Sequence, residues 1–423
     1  MKKVVVIMKT VNLIIGMMLL LPAVALTSCS DGEPGGNDGA GEIEKYEPIV
    51  LSADENCVND GLIEFSLDVA RAMGSEDWMV SPLSVAQALA IMANGADDAT
   101  CSEICSLLHV GNNDVNRINS YFGNVLSKLS LPSKNTKFIN ANAVFFDQSM
   151  KINDNVANNC NYYLGACFEP LDFNSNTMNS TINKWFAEHT ENLINDMLEG
   201  EDVTKYNLII CNALFYQGKW MDPFDERNTY KQKFYTSYAS DANYVEVDIM
   251  HDSKRSLAYA ETKEYKAARI EYNNRYSFTV MMPNDGKEIE ESLSLLTKEK
   301  YDEIEKQFSG ALGAFSLPKW KTKGTVSMSN VIMSMGYENI FGNSANYTEF
   351  VNSGNAHFNM MKHSSTIEVD ENGTKMSAGT IVGGDTAPAP SKLEFVVDRP
   401  FFYLIKEKST GAILLMGKVS KIG

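Results

Sequence analysis

ENGTKMSAGTIVGGDTAPA, Glu371 to Ala389, can be read as a loop or as a strand, and the choice decides what kind of fold this chain has. Every second residue from Thr374 gives Thr374, Met376, Ala378, Thr380, Val382 and Gly384, none of them charged. The residues between, Lys375 to Asp385, hold both charges of the run. Side chains on a strand alternate faces with a period of two, so the run could enter a sheet with its uncharged face buried. Its glycines, and the Pro388 and Pro390 that follow, instead mark an exposed connection. A segment able to be either suggests a switch; read blandly, it is a Gly/Ala-rich surface loop.

The rest of the chain supports a large core. Of 423 residues, 44% are hydrophobic and 22% charged, an ordinary globular balance. The formal net charge of -17 favours solubility and disfavours nucleic acid as a partner, and no Arg/Lys stripe offsets it.

The N-terminus reads as a targeting segment. Lys2, Lys3 and Lys9 make a basic start, Val11 to Leu26 is mostly apolar, and Leu26-Thr27-Ser28 leads into Cys29. The apolar run is near the lower length limit for a membrane span and holds Pro22, which favours a cleaved signal. Leu-Thr-Ser-Cys resembles the bacterial lipoprotein cleavage box. The resemblance implies a signal peptide over 1–28 and lipidation of Cys29. Residues 29–48 follow as a tether, and Ser30 to Gly41 is too polar and Gly-rich to fold. Acidic residues soon after the cysteine resemble the surface-export signal of some Gram-negative lipoproteins. The expected location is the bacterial outer membrane, with exposure at the cell surface or beyond.

Six further cysteines, Cys57, Cys101, Cys105, Cys160, Cys167 and Cys211, show no disulfide framework, and most read as buried thiols. One folded region, 49–423, is expected after the tether. Leu62, Phe65, Val69 and Met73 recur at helical spacing, and Pro82 and Ser84 open a second helix that stops at Asn94-Gly95. Ile182, Trp185, Phe186, His189, Leu193 and Met197 predict one amphipathic helix. Phe138–Phe146, Tyr276–Met282, Leu393–Val397, Phe401–Ile405 and Ile413–Val419 read as strands. Leu208–Tyr216, LIICNALFY, reads as a central strand covered on both faces. Helices crowd the first half and strands the second, which predicts an α+β fold.

Catalytic motifs are missing from the sequence. It holds no His-Glu-x-x-His, no Gly-x-Ser-x-Gly, no phosphate loop and no Cys-x-x-Cys. The five histidines, His109, His189, His251, His357 and His363, have no companions at metal-ligand spacing. No cofactor or metal is expected, and no enzymatic activity.

Several other segments are more telling. They are Val80-Ser81-Pro82-Leu83-Ser84-Val85; Gly95 to Thr100; Ile182-Asn183-Lys184-Trp185; Asn212 to Trp220 with Pro223-Phe224 and Thr229; Glu371-Asn372-Gly373-Thr374; Asp398-Arg399-Pro400-Phe401-Phe402; and Leu415-Met416-Gly417-Lys418-Val419. In this order, and from about Ile49 to the C-terminus, they resemble the signatures of the serpins, the serine-protease-inhibitor family. The resemblance implies one domain with helices around a large mixed sheet. It also implies a reactive loop that baits a protease, forms an acyl-enzyme and inserts as a new strand.

By that resemblance the hinge is Glu371, Gly373, Thr374, Met376 and Ala378. Gly373 gives backbone freedom. Met376 departs from the family's usual Ala and faces inward, where it could slow insertion. Ser81, Ser84, Asn212, Trp220 and His363 fall where serpins place their sheet-opening residues. His363 and its polar neighbours are expected to form a hydrogen-bonded latch, or simply a satisfied core, and Trp220 to stand where the loop first enters.

The scissile bond counts to Ala387-Pro388 by usual loop length. Proline is a poor residue after the cut, and the stretch from Glu371 to Pro400 is two residues longer than common, which moves the bond to Thr386-Ala387. A small residue there implies elastase-like or subtilisin-like targets; a papain-like cysteine protease is the alternative. The second reading of function is a non-inhibitory, binding serpin. The expected partners are a target protease and a membrane through the lipid; the expected state is a monomer able to polymerise by loop-sheet exchange. No basic patch suggests heparin-like activation.

Overall fold

A computed structural model describes residues 44–374 and 393–422, apart from 112, 199–200, 203–205, 285, 343 and 353–355. The chain first forms α1 (Ala53–Ala72), β1 (Trp78–Val80), α2 (Pro82–Ala93), α3 (Asp98–Leu107) and α4 (Val115–Leu129). Then come β2 (Thr136–Asp147), α5 (Asp154–Leu164), β3 (Ala166–Leu171), α6 (Met178–His189) and β4 (Leu208–Lys219). Next are β5 (Thr229–Tyr235), β6 (Tyr244–Glu261), β7 (Tyr265–Glu271), β8 (Tyr276–Pro283), α7 (Ile289–Ser294), α8 (Lys298–Gln307), β9 (Ser309–Pro318), β10 (Trp320–Ser327) and α9 (Met328–Ser334). Last are β11 (Met361–Asp370), β12 (Gly373–Thr374), β13 (Leu393–Val396), β14 (Phe401–Glu407) and β15 (Ile413–Val419). This is the α+β architecture that the sequence predicts.

Local signals set the helix starts. Ser52 and Glu55 close a reciprocal capping box at α1, with bonds of 3.2 and 2.8 Å that satisfy two otherwise free N–H groups. At α2, Ser81 caps the Ser84 N–H at 3.2 Å and Pro82 takes the first turn, where its missing N–H costs nothing. Every residue of α2 is buried. A helix apolar all round belongs inside a core, and α2 packs against both β4 and β15.

Two sheets meet around it. The larger runs β1-β15-β14-β8-β7-β6-β9-β13, with β5 paired to β6. The other runs β10-β11-β12-β4-β2-β3 and mixes directions: β11 is parallel to β4, and β2 is antiparallel to β4. Strand β4 is buried on both faces. Leu208, Ile210, Leu214 and Tyr216 join the main core, while Ile209, Cys211 and Ala213 pack under Ile182 and Phe186 of α6. That double cover is why its sequence is a continuous apolar run.

One element is shorter than the sequence predicts. Helix α6 stops at His189, before Leu193 and Met197. Glu191 and Asn192 turn into left-handed conformations (φ 52° and 62°), and the Thr190 hydroxyl bonds Phe186 O and Ile194 N, closing the turn. His189 is exposed, its ring stacked on Trp185. Met197 returns to the same core as Phe186 from beyond the helix, so apolar spacing overran the helix end.

All six cysteines from Cys57 to Cys211 are free thiols; Cys101, Cys105, Cys160 and Cys211 are buried, and Cys57 is exposed. No helix among the described residues is long and apolar enough to cross a membrane.

Candidate functional site

Strands β4 and β11 are parallel neighbours along only part of their length. Met361–Thr366 pair directly with Ile210–Phe215. Beyond that point the strands part, and β12 lies in the cleft. Thr374 faces Val369 on one side and Gly218 on the other; Gly373 faces Asp370 and Lys219. Both pairings are antiparallel, so two residues already form a strand inside the sheet.

The backbone at this point admits only glycine. Gly373 has φ +152°, and a Cβ there would lie 2.0 Å from Gly218 O. The preceding turn is set by Asp370, whose Oδ1 accepts from Asn372 N at 2.8 Å and Gly373 N at 3.2 Å. Burial pushes the Asp370 carboxyl above its usual pKa despite those bonds.

Glu371 is pinned on both sides of its carboxylate. Thr229 Oγ1 donates to Oε1 at 2.7 Å, and Lys319 Nζ pairs with Oε2 at 2.7 Å. Its backbone carbonyl accepts from Phe224 N at 2.8 Å. Burial alone would raise its pKa, but the Lys319 and Thr229 bonds outweigh that and hold the carboxyl low.

Trp220, at the end of β4, closes the cleft. Its Nε1 donates to Asp370 O at 3.0 Å and its backbone N to Asn372 O at 3.0 Å. Its ring stacks on Tyr272 with centroids 4.5 Å apart, and the Tyr272 hydroxyl lies 2.6 Å from Thr374 Oγ1. Thr374 has no exposed surface.

A second polar group lies six residues down β4 from Gly218, a run of about 20 Å at strand rise. His363 is paired with Asn212 across the β11–β4 seam. Ser81 N donates to His363 Nε2 at 3.0 Å, which leaves the ring proton on Nδ1, bonded to Asn212 Oδ1. Asn212 Nδ2 donates to Ser84 O at 3.1 Å and Asn142 Oδ1 at 2.6 Å. Ser84 Oγ donates to Asn140 Oδ1 at 2.8 Å, and Asn140 Nδ2 to Gln87 Oε1 at 2.5 Å. His363 is fully buried, and desolvation pushes its pKa down to about 3, so the ring is neutral. The network ties β2, β4 and β11 to the start of α2.

The structure thus brings Ser81, Ser84, Asn212 and His363 together. Trp220 stands apart from them at the cleft with Glu371, Gly373 and Thr374. Sequence reading missed Asn140, Asn142, Gln87, Lys319 and Tyr272. The spacing Asn140-x-Asn142, two amides on one face of an otherwise apolar strand, was the available signal. Met376, Ala378, Thr386, Ala387, Pro388 and Cys29 lie outside the described residues. The strand after them, β13, runs parallel to β9, with Leu393 facing Gly313.

Comparison with known proteins agrees with this architecture. Residues 60–422 match the family Serpin (serine protease inhibitor). An uncharacterized serpin-like protein of Methanosarcina acetivorans is 28% identical over 359 residues, covering 81% of each chain. The native-state structure of tengpin, a thermophilic serpin, superposes with TM-score 0.79 at 25% identity, over 90% of this chain and 98% of the other. Human thyroxine-binding globulin, solved in complex with thyroxine, shares the fold with TM-score 0.77 at 19% identity, over 88% of this chain and 100% of the other. A match to this family across most of the chain identifies the protein as a member of the serpin family of serine protease inhibitors.

Proposed function

We propose that this serpin is inhibitory and traps a serine protease by inserting residues 374–386 between β4 and β11. The observation that carries the reading is the two-sided pairing of β12, which is antiparallel to both neighbours and in register with each. Continuing both registers sets Met376 between Tyr216 and Ile367, and Thr380 between Asn212 and His363. Each even-numbered residue then shares the inner face with Thr374, which is the uncharged set of the opening stretch. Insertion must break the direct β11–β4 pairs and the Asn212–His363 bond. Those bonds raise a barrier to insertion, and the proposed mechanism requires the inserted strand's new pairs to outweigh them. Serpin loop insertion is itself a standard instance of such a switch.

The chemistry starts as ordinary proteolysis. The protease serine oxygen attacks the carbonyl of Thr386, the bond to Ala387 N breaks, and the proton goes to the leaving amine. The acyl ester then links the protease to Thr386, and insertion carries it away before water attacks. Small side chains at this bond suit elastase-like or subtilisin-like pockets. Incubation with pancreatic elastase or subtilisin should give a covalent complex that survives a denaturing gel. Clean cleavage across a broad panel, with full protease activity retained, would refute the reading. Cleavage should also raise the melting temperature sharply if the strand inserts.

The second reading is a binding serpin. Met376 and Pro388 favour it, and so does the shared fold with thyroxine-binding globulin. Loop cleavage without complex and without a rise in melting temperature would select it.

The N-terminal signal and Cys29 support a lipid-anchored envelope protein. In a cell fractionation, Cys29→Ala should move the protein out of the membrane pellet; retention there would count against the anchor.

A further inference from the structure

A cavity of about 440 Å³ lies between Glu44–Glu47, the loop after α4, the start of β2 and the β7–β8 turn. Leu129, Leu131, Phe138 and Tyr276 give it apolar walls. Arg275 lines it as well, and this residue is unusual. It is only 7% exposed, its Nη1 is buried without a hydrogen-bond partner, and no ion pair among the described residues holds its guanidinium. A buried guanidinium without an ion pair is costly. Its Cζ lies over the Tyr46 ring, 5.3 Å from the ring centre, and Lys408 Nζ lies 5.4 Å from the same centre.

We propose that this cavity is a binding site for an amphipathic monocarboxylate, its alkyl portion against Leu129, Leu131 and Phe138 and its carboxylate on Arg275. Planar two-pronged pairing is the recognition a free guanidinium offers, and it would satisfy the orphaned donor. Glu44, Lys45, Glu47 and Lys137 also line the cavity, and apolar walls with a few convergent polar groups are the usual form of a small-molecule site.

The site also touches the sheet. Thr136, on the cavity wall, pairs with Gly218, and Gly218 pairs with Thr374. Ligand held against β2 should therefore slow protease-complex formation. That consequence rests on the proposed inhibitory function, whereas the binding itself does not.

The test is titration calorimetry of the uncleaved full chain in detergent-free buffer, with decanoate and 1-decanol below their aggregation limits. Decanoate should bind saturably at one site and at least tenfold tighter than 1-decanol, and Arg275→Gln should erase that preference. Leu131→Asp, at an exposed position on the rim, should weaken decanoate at least fivefold without changing the melting temperature. Equal affinity for acid and alcohol, absence of saturable binding, or decanoate affinity unchanged by Arg275→Gln would overturn the proposal. If Arg275→Gln does not fold, an unchanged affinity in Leu131→Asp overturns it instead.

Discussion

The hydroxyl of Thr374 lies 2.6 Å from that of Tyr272, and neither side chain has exposed surface. The second residue of β12 is thus held by a side-chain bond as well as by backbone pairs to Val369 and Gly218.

A charge at Thr374 should therefore block the strand without affecting loop cleavage. Burying an unpaired charge costs several kcal/mol, enough to slow insertion by orders of magnitude. Thr374→Arg should behave as a substrate, with the moles of serpin consumed per protease trapped rising at least tenfold. Tyr272→Phe removes one neutral bond worth about 1 kcal/mol, so its effect should be about fivefold or less.

Gly373→Ala tests the close approach to Gly218. A Cβ 2.0 Å from a carbonyl oxygen must displace backbone, and strain of this kind costs about 1–3 kcal/mol. The two-residue strand should leave the cleft, freeing Trp220 from Asp370 O and Asn372 O. Tryptophan emission should shift to the red relative to the parent chain; unchanged emission would show that the hinge accommodates the methyl.

Acid should weaken the sheet through His363. Its pKa is pushed from 6.5 to about 3 in the folded chain, so the unfolded chain binds the extra proton between those values. Its contribution is complete above pH 6.5 and is lost progressively as pH falls towards 3. At pH 5 the loss is about 2 kcal/mol. Glu371 also loses stability with acid, but only as pH falls through a folded pKa below its ordinary 4.5. Denaturant midpoints at pH 7 and 5 should therefore differ less in His363→Gln than in the parent, a comparison that cancels the other histidines.

The segment after α6 spans three strands of the sheet through Lys137–Glu191, Lys323–Asp196 and Lys362–Glu201. Sheet opening must stretch these pairs. Partly exposed pairs contribute up to about 1 kcal/mol each, so the double variant Lys323→Ala/Lys362→Ala should speed complex formation severalfold. Stopped-flow inhibition kinetics would detect this, and a rate equal to the parent's would show that the segment is not part of the barrier.

The sequence by itself determined much of this protein. The double apolar cover of Leu208–Tyr216, the Ser81-Pro82 helix start and the three C-terminal strands are local patterns, readable because period and capping are properties of neighbouring residues. The need for backbone freedom at Gly373 was legible for the same reason. Other features depended on residues far apart in the chain. The end of α6 was misread because Met197 rejoins the same core after a turn. Asn142 became part of the His363 network only because β2 sets it opposite Asn212. Lys319 and Thr229 met at Glu371, and Arg275 was left without a counter-ion among the described residues, through packing alone. Above all, only the tertiary structure showed that Gly373 and Thr374 already pair as a strand between β11 and β4. Whether Thr374 is loop or strand is decided by the parting of β4 from β11 beyond Thr366, and no local propensity encodes the gap between two strands about 150 residues apart.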